Sequence, residues 1–144
     1  MGTRAIYQFQ DNDGDECFVY KHYDNYPQGA VHFIEEAKSM AWPFPRYEAD
    51  EFAAAFVAAN KNKEGGEVRL ISHHFKDEDE ILDAHSWCDY HYIIYFDKTY
   101  KDLWVEVQES FYQKDGSVKW KTIWEGTHAN MMEEYGIRYV FDWR

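Results

Sequence analysis

The chain has 144 residues, the content of one domain at the usual ~100–200 residues each. Ten Phe, six Trp and twelve Tyr make up 19% of it, enough bulky apolar surface to close a core, which excludes disorder as the main state. Fifteen Lys and Arg against 27 Asp and Glu leave a formal charge of -12, which repels nucleic-acid phosphates and disfavours direct DNA or RNA binding.

Arg4 to Phe9 and Cys17 to His22 are aromatic and β-branched runs on either side of Asp11-Asn12-Asp13-Gly14-Asp15, a cluster of turn formers, so they are expected as a hairpin. Pro27 to Gly29 breaks the strand. Ala30, Phe33, Ile34, Ala37 and Met40 then fall at helical spacing, and after Pro43 and Pro45 a second helix is expected through Ala49, Phe52, Ala53, Phe56, Val57 and Ala59. The glycines near Gly66 stop it. Val68 to Ser72 is expected as a short strand and the acidic stretch Lys76 to Asp83 as an exposed loop.

Trp87 to Phe96, Leu103 to Tyr112 and Val118 to Trp124 are expected as an antiparallel three-stranded meander, with Asp115-Gly116 as a hairpin turn. Thr127 is suited to cap a short helix holding Met131 and Met132, which Gly136 ends; the tail from Ile137 to Phe141 is expected to pack as a final strand or docked segment. Strands and helices come in blocks, which gives an α+β class: an antiparallel sheet, N-terminal hairpin plus meander, packed against two main helices in one compact domain, 1–144.

Cys17 and Cys88 are too few for a disulfide framework and lack zinc or dithiol spacing, so a reduced cytoplasmic setting is expected. The start, Met1-Gly2-Thr3-Arg4-Ala5-Ile6-Tyr7, lacks a signal-peptide pattern, and no window reaches the ~18 apolar residues of a membrane helix. No membrane partner is expected. The phosphate-loop, dinucleotide and nucleophile-elbow motifs are missing, so no cofactor is expected. Asp11, Asp13 and Asp15 fail as an EF-hand because Gly14 stands at the fourth position and no Glu at the twelfth, and adjacent His73 and His74 point to opposite faces of a strand; no metal site is assigned.

Two stretches carry candidate acid–base groups. Period 2 places Tyr20, His22 and Asp24 on one strand face, where His22 is a candidate acid, base or ligand oriented by Asp24. In Asp89-Tyr90-His91-Tyr92 the same period puts Asp89 and His91 on one face and Tyr90, Tyr92 and Ile94 on the other. Convergence of His22, Asp24, Asp89 and His91 would make a small enzyme or a ligand- or metal-binding domain. Trp120 and Trp124, four apart in one strand, are expected on a single face that Trp104 joins, as a core layer or a stacking platform.

The residues Gly2-Thr3-Arg4 and Tyr20-Lys21-His22-Tyr23-Asp24-Asn25-Tyr26-Pro27-Gln28-Gly29 resemble those of a family of small prokaryotic and phage-encoded proteins. Its members begin Met-Gly-Thr-Arg and carry Tyr-Lys/Arg-His-x-Asp-Gly-Tyr-Pro-x-Gly. Here Asn25 replaces the usual glycine, a mild change in a left-handed turn. The resemblance covers the first thirty residues well and implies a bacterial or phage origin but no established activity. It singles out Arg4, His22, Asp24 and Tyr26 as a set, with Arg4 expected to pair with Asp24 or another carboxylate.

From these readings the chain is expected to be a non-enzymatic acidic protein that binds another protein, with Arg4, Tyr26, Asp89, Trp104, Trp120 and Trp124 as candidate binding residues. The alternative is the His22, Asp24, Asp89 and His91 site. A homodimer through an exposed sheet edge is a third reading.

Overall fold

The computed structural model describes residues 3–61, 67–71 and 75–136. Six strands form one mixed, mostly antiparallel sheet in the order β3-β2-β1-β4-β5-β6. They are β1 (Ala5–Gln10), β2 (Glu16–Lys21), β3 (Val68–Leu70), β4 (Tyr90–Asp97), β5 (Asp102–Tyr112) and β6 (Val118–Thr127). The hairpin and the meander form as expected, with Gly14 and Gly116 at positive φ in their turns. They join through a parallel pairing of β1 with β4, Ala5 opposite Tyr90 through Gln10 opposite Tyr95, which the antiparallel expectation lacks. Strands from distant parts of the chain meet there, and no local pattern encodes that choice.

Helices α1 (Pro27–Met40) and α2 (Ala49–Lys61) pack on one sheet face. Pro27 opens α1 at a position that needs no backbone donor. The core on this side joins Tyr7, Phe9, Val19, Tyr92, Ile94 and Val105 to Ile34, Phe52 and Phe56. The Tyr7 ring lies 4.9 Å from Tyr92 and 4.5 Å from Phe56. Burying such a side chain is worth about 1.5–3 kcal/mol, so this aromatic layer is the main adhesive between sheet and helices.

The opposite face carries a second, smaller core of Ile6, Tyr20, Ile81 and Cys88. Ile81 comes from α3 (Glu78–Ala84), which corrects the expectation of an exposed loop over Lys76 to Asp83. Asp77 caps α3 by accepting from the Glu80 amide, and Glu78, Asp79 and Glu80 sit in the first turn, where carboxylates suit the helix dipole. The acidity that argued for solvent is the helix's own start signal. Thr127 caps α4 (His128–Met131) as expected, and one π-helical turn, Met132–Gly136, follows.

The residues from Ile137 onward, and Ser72, His73 and His74, lie outside the described residues, so the expectations for the tail and the paired histidines fall there. Among the described residues, no helix is long and apolar enough to cross a membrane.

Candidate functional site

The segment Tyr20 to Gly29 forms the junction between β2 and α1, and its centre is Asn25 rather than His22. Asn25 is fully buried; its Oδ1 accepts from the Tyr7 hydroxyl at 2.7 Å, and its Nδ2 donates to the carbonyls of Thr3 at 2.8 Å and Lys21 at 2.9 Å. Its own carbonyl accepts from the Tyr92 hydroxyl. The left-handed residue of the turn is Asp24, at φ 63°, which corrects the reading that placed that conformation at Asn25. Lys21 faces the main core, with Nζ donating to the Tyr23 carbonyl at 2.7 Å and lying 3.6 Å from the centre of the Phe33 ring.

The period-2 reading holds for Tyr20 and His22 and ends there. The Tyr20 hydroxyl meets His22 Nδ1 at 2.5 Å, whereas β2 stops at Lys21 and the turn at Asp24 takes that carboxylate out of the strand pattern. Tyr90, Tyr92 and Ile94 of β4 enter the main core and His91 takes the opposite face, as the alternation requires, whereas Asp89 stands ahead of the strand, where the Asp89 and Tyr90 amides both donate to the Arg4 carbonyl. His91 is no exposed sheet residue. It is fully buried, with Nδ1 2.8 Å from Gln108 Oε1 and Nε2 2.8 Å from Gln8 Oε1.

The Gln8 amide is held in turn by Glu16 at 2.8 Å and Glu78 at 2.9 Å, and Gln108 donates to Glu106 at 3.3 Å. Burial pushes the His91 imidazole below its ordinary value; the Gln108 hydrogen bond and the charges of Glu78, Glu106 and Glu16 pull the other way. Chains of this kind rigidify a sheet.

The four acid–base candidates therefore do not form one cluster. Among the described residues, the His, Cys, Asp and Glu groups close enough to share one ion in a set of three or more are Asp11, Asp13 and Asp15; His22 lies past the end of β2, Asp89 ahead of β4, and His91 opposite Ile6 of β1. Asp89 Oδ2 accepts from the Arg4 backbone amide at 3.1 Å. Among the described residues, the Arg4 guanidinium pairs with no carboxylate across the hairpin; it lies over Trp87, 5.6 Å from the ring centre. Tyr26 is the residue before α1, and its carbonyl accepts from the Gly29 and Ala30 amides.

The tryptophans separate because of one residue. Val107 pairs with Trp124 and Gln108 with Thr122, leaving Ile123 as the extra residue of a β-bulge. Trp124 thus packs on the main core, while Trp120, opposite Ser110, turns to the second face and meets His91 edge-on at 5.9 Å. Trp104 shares that second face six residues away along β5, at a rise of ~3.4 Å each, stacked on Tyr100 and donating to Glu125 at 3.1 Å. A three-tryptophan platform does not form.

Two further features come from long-range folding. The Asp11, Asp13 and Asp15 carboxylates lie within 4.8 Å of one another, with Asp11 accepting from the Ala49 amide at 2.6 Å and Asp13 from the Asp15 amide at 3.2 Å, so the hairpin tip is tied to the start of α2. Around Tyr20 there is an aromatic and cationic corner: Trp87 at 5.4 Å, His85 at 6.4 Å and the Arg69 guanidinium at 5.2 Å from the ring. The signals for that corner were a lone Trp, a lone His and a lone Arg on three separate elements. No family model, curated protein or solved structure matches this chain.

Proposed function

We propose that this chain is a non-enzymatic, acidic interaction protein that engages a basic protein surface through the part of its sheet that α3 leaves uncovered. The observation that carries the reading is the make-up of that surface across β4, β5 and β6. Half-exposed Tyr95 and Trp104 and exposed Tyr100 supply aromatic contact area, and Asp97, Glu106 and Glu125 surround Tyr95 with negative charge. An aromatic centre with a charged rim is the anatomy of a protein interface, and the charge of -12 selects a cationic partner.

The sharpest form of the reading is phosphate mimicry, in which the carboxylates occupy a partner's nucleic-acid-binding surface. A phage or mobile-element origin, implied by the resemblance of residues 2–4 and 20–29, is compatible with such a blocking role. The experiment is capture from a bacterial lysate at low salt with the wild-type chain and with Glu106→Lys/Glu125→Lys, followed by mass spectrometry and elution with duplex DNA. The expected result is a basic, nucleic-acid-binding protein that DNA displaces and that the double variant no longer retains. Equal capture by both chains, or partners that ignore salt and DNA, overturns it.

A further inference from the structure

We propose that the corner bounded by Tyr20, Arg69, Phe75, His85 and Trp87 is a small-molecule site for a planar aromatic ligand that carries an anionic group. It uses other residues than the docking surface above and stands without it. The hollow has a volume of about 230 Å³, below the ~300 Å³ at which drug-sized pockets begin, so it suits a single ring system rather than a dinucleotide.

Its walls are built for stacking. Trp87 and His85 lie 5.9 Å apart, Phe75 stands edge-on to His85 at 5.8 Å, and Tyr20 meets Trp87 edge-on at 5.4 Å. Trp87 is 45% exposed, so part of it remains open to a ligand although its Nε1 is already spent on the Ala84 carbonyl at 3.2 Å.

The anion preference comes from charge. In a chain with 27 acidic residues, this lining holds no carboxylate among the described residues, and it holds an arginine. Among the described residues Arg69 has one long ion pair, 3.8 Å to Glu67, and its side chain is 66% exposed. Beside the pocket, the Arg4 guanidinium lies over Trp87 and makes no hydrogen bond or ion pair among the described residues. Guanidinium groups stacked on rings keep their in-plane N–H donors available to a carboxylate or phosphate.

His85 adds orientation. Its Nδ1 lies 2.7 Å from the Ile81 carbonyl, which only accepts, so Nδ1 is the protonated nitrogen and Nε2, an acceptor in the neutral ring, is left for a hydroxyl or N–H of the ligand. Tyr20, hydrogen-bonded to His22, forms the floor.

Calorimetry and saturation-transfer NMR test the site with three ring-bearing anions, phenyl phosphate, 4-hydroxybenzoate and adenosine monophosphate, against inorganic phosphate and phenol. The proposal expects saturable binding of at least one ring-bearing anion, with the anion alone and the ring alone weaker by about tenfold or more. The strongest arm names the source, nucleotide or aromatic acid. Arg69→Gln and Trp87→Ala are each expected to weaken binding about tenfold, and Trp87→Phe to keep most of it. Arg69 is exposed, so its variant decides even if Trp87→Ala unfolds. No saturation by any ring-bearing anion up to about 10 mM, or an unchanged Kd in Arg69→Gln, overturns the proposal.

Discussion

Asn25 concentrates more structure than any other polar side chain of the β2–α1 junction. Its side chain fastens Tyr7 of β1, the Thr3 carbonyl ahead of that strand and the Lys21 carbonyl at the end of β2, while its carbonyl receives Tyr92 of β4. Asn25→Ala strands a buried tyrosine hydroxyl and two carbonyls, so we predict a loss of about 3 kcal/mol in a denaturant titration. Asn25→Gly, which restores the residue usual in the resembling proteins, loses the same bonds and is expected to be no more stable than the alanine variant. A glycine variant as stable as wild type would show that the position serves turn geometry after all. The turn motif was legible in the sequence as a turn, but the burial of Asn25 was not, because it depends on Tyr7 and Tyr92 arriving from two other strands.

Among the elements, those with local periodicity were readable. The 3.6-residue spacing of Phe33, Ile34 and Ala37 and of Phe52, Ala53 and Phe56 marks two helices, and Asp115-Gly116 marks a hairpin turn. Helix α3 was missed because only Ile81 of it is fully packed and its acidic first turn resembles a solvated loop. The ligand corner was hidden for a different reason: Tyr20 and Arg69 sit on β2 and β3 and His85 just past the end of α3, and they meet only in the folded chain. The bulge at Ile123 shows the same limit, since a strand's own alternation cannot reveal that its partner lacks a residue. Deletion of Ile123 leaves Thr122 and Trp124 directly consecutive opposite Gln108 and Val107, so every flanking side chain keeps its face. We predict that this deletion costs less than about 1.5 kcal/mol, whereas deletion of Glu125, on the other side of Trp124, moves either Trp124 or the Gly126-Thr127 end of β6 to the wrong face and costs at least twice that. Thermal unfolding of the two deletion variants compares them directly, and equal losses would remove the assignment of Ile123 as the extra residue.

For the whole molecule, the buried titratable groups bound the pH range in which the fold is stable. His128 is buried, with Nε2 donating to the Val31 carbonyl at 2.9 Å; burial lowers its pKa below the ordinary 6.5, and nearby Lys38 adds to the effect. The unfolded chain therefore binds a proton first as pH falls below about 6.5, while the folded chain resists. This contribution to stability is fully present above 6.5 and is lost as pH falls through the lower folded value, at up to about 1.4 kcal/mol per pH unit. His91, held down chiefly by burial, acts with the same sign. Asp102 acts at lower pH. Burial alone would raise its pKa, but the Lys38 ammonium at 2.8 Å and the Ala129 and Leu103 amides bring it below 3.8, so its share is lost as pH falls through that folded value. On the alkaline side, burial raises Tyr90 to about 12 and Tyr92 well above 10, so the folded chain resists an ionisation that the unfolded chain undergoes near 10. Urea midpoints across this range are expected to form a plateau from about pH 7 to 9, with a first decline below 6.5 and a second below 4. His128→Gln keeps an N–H donor for Val31 and removes the titration, so we predict that it flattens the slope between pH 6.5 and 5 while leaving the decline below pH 4 in place. An unchanged slope in that variant would assign the acid sensitivity near pH 6 to groups other than His128.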